Sequence, residues 1–158
     1  TEPESVAAHS YALALLAFLF LERYPGRWDP VKTLGMAIIH DTPEACLMDI
    51  PMPVADAHLK EAKRTAEQAI IEKIFEAFPP TAADLHAEFG AADTAEARLL
   101  RGLDKAQMMM KVTAYEAEHR GNLEEFWHNP ANFRDYDVPE VSQLFDALCE
   151  AAGRKRPC

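Results

Sequence analysis

Four residues in this 158-residue chain combine metal-ligand chemistry with an apolar setting: His9, the adjacent pair His40 and Asp41, and Asp104. Taken singly, each reads as ordinary. A histidine in a helix of alanine and leucine is usually a hydrogen-bonded core residue, and an aspartate on a helix is usually solvated. Together they read differently. His40 and Asp41 directly follow Ala37, Ile38 and Ile39, where burying an unpaired carboxylate is costly and a cation would remove the cost. Asp104 borders a face made by Leu99, Leu100, Leu103 and Gln107, with Arg98, Arg101 and Lys105 on its other flank. Two imidazoles and two carboxylates make a mixed nitrogen and oxygen site for one divalent metal, suited to Mn, Fe, Co or Mg and also open to Zn.

Two further acids follow the His40 and Asp41 pair. Glu44 lies four residues after His40, one helical turn on, where it can address a water held at such a metal. Asp49 falls between Met48 and Ile50, just before Pro51, in a stretch that can bend back towards the same point. Without the metal set, Glu44 would read as a first-turn helix acid and Asp49 as a turn former. Lys60, Lys63 and Arg64 are candidate phosphate contacts, as are Arg98, Arg101 and Lys105 in another direction. Each set also fits a solvated helix face.

The elements that must position these groups read as helices throughout. Strand signals are almost absent, with no sustained alternation and no Asn-Gly or Asp-Gly hairpin turn. Residues 5–23 are apolar on most of the circumference and predict a central, buried helix ended by Tyr24, Pro25 and Gly26. Pro30 opens a second helix running into His40 and Asp41, where Thr42 and Pro43 disturb it. Prolines 51 and 53 make residues 48–53 irregular. Residues 59–78 predict an amphipathic helix stopped by Pro79 and Pro80, a short helix follows from Thr81, and Thr94 precedes a long one ended by Gly121 and Asn122. The last helix spans 138–152, after irregular residues 129–137, and the basic tail 153–158 reads as a frayed terminus. Residues 1–152 therefore form a single all-α domain.

Composition narrows the partner. A chain of this length with 49% hydrophobic residues can bury a sizeable core without staples. Cys46, Cys149 and Cys158 form no CxxC pair, so neither a disulfide framework nor a thiolate zinc site is expected, and a reducing cytosol is the default. The longest apolar stretch, residues 11–21, is closed by Glu22 and Arg23, short of the roughly 20 residues a membrane span needs. A net charge of −10 opposes binding to polymeric nucleic acid, where Lys and Arg must neutralise phosphates. It does not oppose a small nucleotide.

Glu4, Ser5, Val6 and His9, then His40, Asp41 and Glu44, then Asp49, Ile50 and Pro51, and finally Leu103 and Asp104 together resemble the H...HD...D signature of HD-domain phosphohydrolases. More narrowly they resemble the branch holding bacterial 5′-deoxynucleotidases and the eukaryotic HD domain-containing protein 2. The likeness extends over nearly the whole chain. It implies an all-helical HD fold in which His9, His40, Asp41 and Asp104 hold one divalent metal, with Glu44 and Asp49 catalytic. It implies release of phosphate from a nucleoside 5′-monophosphate, often a deoxynucleotide, by a chain that self-associates. The chain departs from that pattern in three ways. Ala8 replaces an acidic residue common before the first histidine, Met48 replaces a frequent glycine, and the Arg-Trp region that helps select sugar and phosphate would precede Thr1.

Four other readings share the same fold. Deoxynucleotide triphosphohydrolases differ in how many phosphates leave together. Di-iron oxygenases need extra histidines between the HD pair and the last aspartate, where this chain has only His58 and His86, both at positions that read as exposed. A non-catalytic nucleotide-binding module would not require all four ligands and both acids. A cyclic-dinucleotide phosphodiesterase would carry a Gly-Tyr-Pro element after the HD pair, and none follows.

Overall fold

The structure is a computed structural model that describes residues 4–48 and 58–157. Asp49 lies outside the described residues. Among those described there are helices and turns and no strand. The order is α1 (Val6–Arg23), α2 (Pro30–Ile39), α3 (Glu44–Leu47), α4 (Lys60–Ile74), α5 (Thr81–Ala91), α6 (Ala95–Ala117), α7 (Glu124–His128), a 3₁₀ turn (Pro130–Phe133) and α8 (Pro139–Ala151).

Local rules set most helix starts. Ser5 accepts a hydrogen bond from the Ala8 amide at the head of α1, Asp29 from Lys32 at α2 and Thr94 from Ala97 at α6. Each hydroxyl or carboxylate thereby satisfies one of the orphan donors at a helix N-terminus. Pro30 and Pro139 occupy first helical positions, where a missing N–H costs nothing. The end of α6 differs from expectation. His119 takes the left-handed conformation (φ 54) before Gly121 is reached, so the helix stops at Ala117.

The core centres on α6. Leu99, Leu100, Leu103, Ala106 and Met109 are fully enclosed, with α1, α2, α5 and α8 packed around this helix. Of the methionine run, Met109 is buried and Met110 is partly exposed. Gly102 marks a close approach: a Cβ there would stand 2.8 Å from Val141 Cγ1. Helix α1 departs from the expected buried helix. It buries only the stripe Leu13, Ala17 and Leu21, while Tyr11, Leu15, Phe18 and Leu19 are exposed. By length and composition alone α1 is apolar enough to cross a membrane; its buried stripe packs into the domain core.

The C-terminal tail is not frayed. Arg156 donates to the Ser142 hydroxyl and the Phe133 carbonyl, each at 2.7 Å, and pairs with Asp135 at 3.1 Å. Arg154 pairs with Glu124 at 2.7 Å and with Glu116 at 3.3 Å, its guanidinium over the Trp127 ring. The tail residues through 157 therefore belong to the domain rather than standing apart from it.

Candidate metal centre

Three helices bring the sequence-separated ligand residues to one place. His9 comes from the first turns of α1, His40 caps the C-terminal end of α2, Asp41 follows it in the turn, and Asp104 sits midway along α6. The turn after α2 is held by Thr42 and Glu44 amides donating to the Ile39 and Asp41 carbonyls and by the fully buried Pro43.

The donor atoms form a compact triangle. His9 Nε2 and His40 Nε2 are 3.2 Å apart, and Asp41 Oδ2 stands 3.4 Å from the first and 3.1 Å from the second. Asp104 joins from the other side, its Oδ1 3.1 Å from His9 Nε2. Donors sharing one cation at about 2.0–2.2 Å stand about 3.0–3.5 Å apart in octahedral or tetrahedral arrangements, which is the spacing seen. The tightest group is His9, His40 and Asp41, with Asp104 attached through His9.

Hydrogen bonds behind the cluster decide which imidazole nitrogens face it. His40 Nδ1 lies 3.0 Å from the Ala37 carbonyl, an acceptor only, so it carries the proton and leaves Nε2 with a lone pair. His9 Nδ1 lies 2.7 Å from Gln107 Oε1, and the Gln107 amide nitrogen donates to Glu4 at 3.1 Å, which fixes the amide orientation. Glu4 in turn pairs with Lys111. Both Nε2 atoms thus point inward with their Nδ1 protons spent on carbonyl oxygens, the arrangement by which metal-bound histidines are oriented. Two inward lone pairs beside two carboxylates fit a divalent cation.

Without a cation, a proton takes that place. Burial alone would lower the His9 pKa, but the hydrogen bond to Asp104 and the charges of Asp104 and Asp41 outweigh it and raise it to about 9. Burial would raise the Asp104 pKa, and the His9 bond together with nearby positive charge brings it down to about 2.

The remaining candidates divide. Glu44 begins α3 after the turn rather than continuing α2, and its Oε1 accepts from Lys63 Nζ at 3.1 Å. Lys63 also pairs with Glu67 at 3.2 Å, so Glu44, Lys63 and Glu67 join α3 to α4 in one chain of ion pairs, an acidic wall. Lys60 is exposed, and Arg64 is turned to solvent with Glu61. Arg98 is exposed, and Arg101 lies over the rings of Phe89 and Tyr136. His58 is exposed as expected. His86 is not: it is half-buried, its Nδ1 is enclosed without a hydrogen-bond partner among the described residues, and burial lowers its pKa. Nearby, Phe89 packs its ring 5.0 Å from that of His40.

Sequence reasoning missed the supporting role of Gln107 and Glu4. The available signal was a polar residue, Gln107, on the otherwise apolar face of α6 three positions after Asp104.

Residues 1–142 match the family model described as HD domain. The chain belongs to the HD domain family. It is similar to the 5′-deoxynucleotidase HDDC2 of Xenopus laevis, at 30% identity over 94% of this chain and 74% of that one. It is also similar to the protein of that name from Homo sapiens, at 29% over 92% and 71%. Among solved structures, a conserved hypothetical protein from Pyrococcus furiosus superposes with a TM-score of 0.76 at 30% identity, over 96% of this chain and 85% of that chain. A protein from Magnetospirillum magnetotacticum, described as a predicted metal-dependent phosphohydrolase, shares the fold with a TM-score of 0.71 at 23% identity, over 97% and 79%.

Proposed function

We propose that this HD domain is a metal-dependent phosphohydrolase that removes phosphate from a nucleotide, with nucleoside and deoxynucleoside 5′-monophosphates as the substrate class. The carrying observation is the triangle of His9 Nε2, His40 Nε2 and Asp41 Oδ2, all within 3.4 Å of one another, with Glu44 following Asp41 three residues on in the chain. The relatives named 5′-deoxynucleotidases support the substrate class.

In this reading His9, His40, Asp41 and Asp104 hold one divalent ion, drawn from Mn, Co, Fe, Mg and Zn. When bound, that ion would supply Lewis-acid polarisation of a phosphate oxygen and would lower the pKa of a water towards neutrality. The chain's residues do the rest. Gln107 and the Ala37 carbonyl keep both imidazoles in the ligating tautomer. Glu44 orients the attacking water and takes its proton, and Asp49 serves the leaving sugar oxygen. Phosphoryl transfer asks for positioning and charge more than covalent chemistry, and fixed helices supply positioning.

The test is phosphate release from nucleoside mono-, di- and triphosphates, each with several divalent ions. Orthophosphate from monophosphates is expected. Release of triphosphate alone would move the chain to the triphosphohydrolases, two irons per chain would indicate an oxygenase, and binding without turnover would indicate a nucleotide-sensing module. Asp41→Ala should lose metal and activity together. Glu44→Ala should keep metal and lose about 10²–10⁴-fold in turnover.

A cytoplasmic homo-oligomer with no membrane partner belongs to the same reading. Cys46 and Cys149 as free thiols fit a reducing compartment, and exposed Tyr11, Leu15 and Phe18 share one face of α1 by their spacing. Light scattering of the purified chain measures the assembly.

A further inference from the structure

Lysine 63 looks at first like a phosphate contact, and its bonding argues otherwise. Its ammonium stands between two carboxylates, 3.1 Å from Glu44 Oε1 and 3.2 Å from Glu67 Oε1. The three groups together carry one net negative charge, which repels a phosphate rather than binding it. They are also largely enclosed: Lys63 is 22% exposed and Glu44 14%, against 78% for Arg64 on the same helix. An enclosed, doubly bonded lysine holds its partners in place far better than a solvated pair does.

The location gives this bridge its consequence. Helix α3 is one turn long, buries no residue of its own and has no side-chain cap. It meets α4, and the Lys63 to Glu44 bond ties the two. An ionised carboxylate can accept up to about four hydrogen bonds, so the bond from Lys63 does not by itself saturate the Glu44 carboxylate.

We propose that Lys63 is a positioning residue of the phosphohydrolase reaction, pinned by Glu67 and fixing the Glu44 carboxylate where it meets the attacking water. This rests on the reading of Glu44 as the water-orienting group. Lys63 does not touch substrate and does not ligate the cation. Burial opposes its charge, but the bonds to Glu44 and Glu67 outweigh this and keep the ammonium protonated.

The experiment compares Lys63→Met, Lys63→Arg, Glu67→Gln and Glu44→Ala in the manganese-loaded protein, with 2′-deoxyadenosine 5′-monophosphate as probe. Lys63→Met should keep full metal content while kcat falls about 10–100-fold and KM stays within about twofold. Lys63→Arg should recover most of the loss, and Glu67→Gln should lose about threefold. A raised KM with unchanged kcat in Lys63→Met would overturn the proposal and make Lys63 a phosphate contact after all. Unchanged kinetics in Lys63→Met beside an inactive Glu44→Ala would overturn it while leaving the functional reading intact. If the wild-type chain turns over no nucleotide, the functional reading fails by itself. The Lys63 arrangement is then judged by nitrogen NMR, where a slowly exchanging Lys63 ammonium signal must disappear in Glu44→Gln.

Discussion

The histidine and aspartate cluster and the acidic wall come within three residues of each other in the chain, at Asp41 and Glu44, yet they rest on different foundations. The cluster draws His9, His40 and Asp104 from α1, α2 and α6, and its α6 support is lined by Leu99, Leu100, Leu103 and Ala106, none with any exposure. The wall consists of α3, which buries nothing, and α4, whose one buried residue is Ile71. A metal site needs donors fixed within a fraction of an ångström, so rigid packing suits it. The wall is held instead by polar bonds such as the Lys63 bridge, and segments with few buried contacts open most easily.

Hollowing the core under the cluster should have the largest effect. Leu103→Ala removes a fully buried side chain next to Asp104 and should cost about 2–5 kcal/mol, measured by urea unfolding, with weaker metal binding in parallel. If metal affinity were unchanged in a folded Leu103→Ala protein, the claim that packing on α6 fixes the ligands would fail.

Gln107→Leu sharpens the same point without a cavity. It removes the acceptor for His9 Nδ1 at 2.7 Å and keeps the volume. Loss of such an outer partner should weaken metal binding about 10–100-fold, read by competition with a chelating dye. The contrast is with Lys63→Met, which should leave metal binding alone.

Protonation separates the two regions by pH. The His9 pKa is raised to about 9 in the metal-free fold, with burial opposing and the Asp104 bond and the two aspartate charges prevailing. Its contribution to metal-free stability is therefore fully present below the unfolded value of about 6.5 and lost as pH rises through about 9. Asp104 is lowered to about 2, so its contribution is present above about 3.9 and lost as pH falls through about 2. Denaturation of chelator-treated protein at pH 5, 7 and 9.5 should show stability declining towards 9.5, and Asp104→Asn should flatten the decline. Because the metal must displace the His9 proton, its affinity should rise with pH up to about 9, with proton release seen by calorimetry in buffers of different ionisation enthalpy.

Much of this organisation was readable from the amino acids, and the unreadable part has a common cause. Ser5, Asp29 and Thr94 announce their helices through contacts to amides three residues on. His9, His40, Asp41 and Asp104 stand out because polar residues interrupt apolar faces. What stayed hidden depends on partners distant in the chain. Gln107 meets His9 across 98 positions, and Lys63 meets Glu44 across the intervening prolines. Helix α7, whose Trp127 indole donates to Glu116 and lies under Arg154, has no strong pattern of its own. The exposed side of α1 was misjudged because composition gives apolarity without saying how many neighbours arrive to cover it.

The smallest effect concerns the end of the wall. Met48 closes α3 with φ 64 and ψ 161 and is largely exposed, a backbone region that an L side chain enters at a cost of about 1–3 kcal/mol and that glycine occupies readily. At 76% exposure, the methionine side chain gains little from packing on the described residues to offset that cost. Met48→Gly should therefore stabilise the protein, by about 0.5–1 kcal/mol once the greater freedom of glycine in the unfolded chain is deducted. Since Met48 N–H also donates to the Glu44 carbonyl at 2.8 Å, relieving the strain should leave turnover within about twofold if Lys63 holds the Glu44 carboxylate. A clear fall in kcat with wild-type metal content would instead show that the strained turn itself aims Glu44.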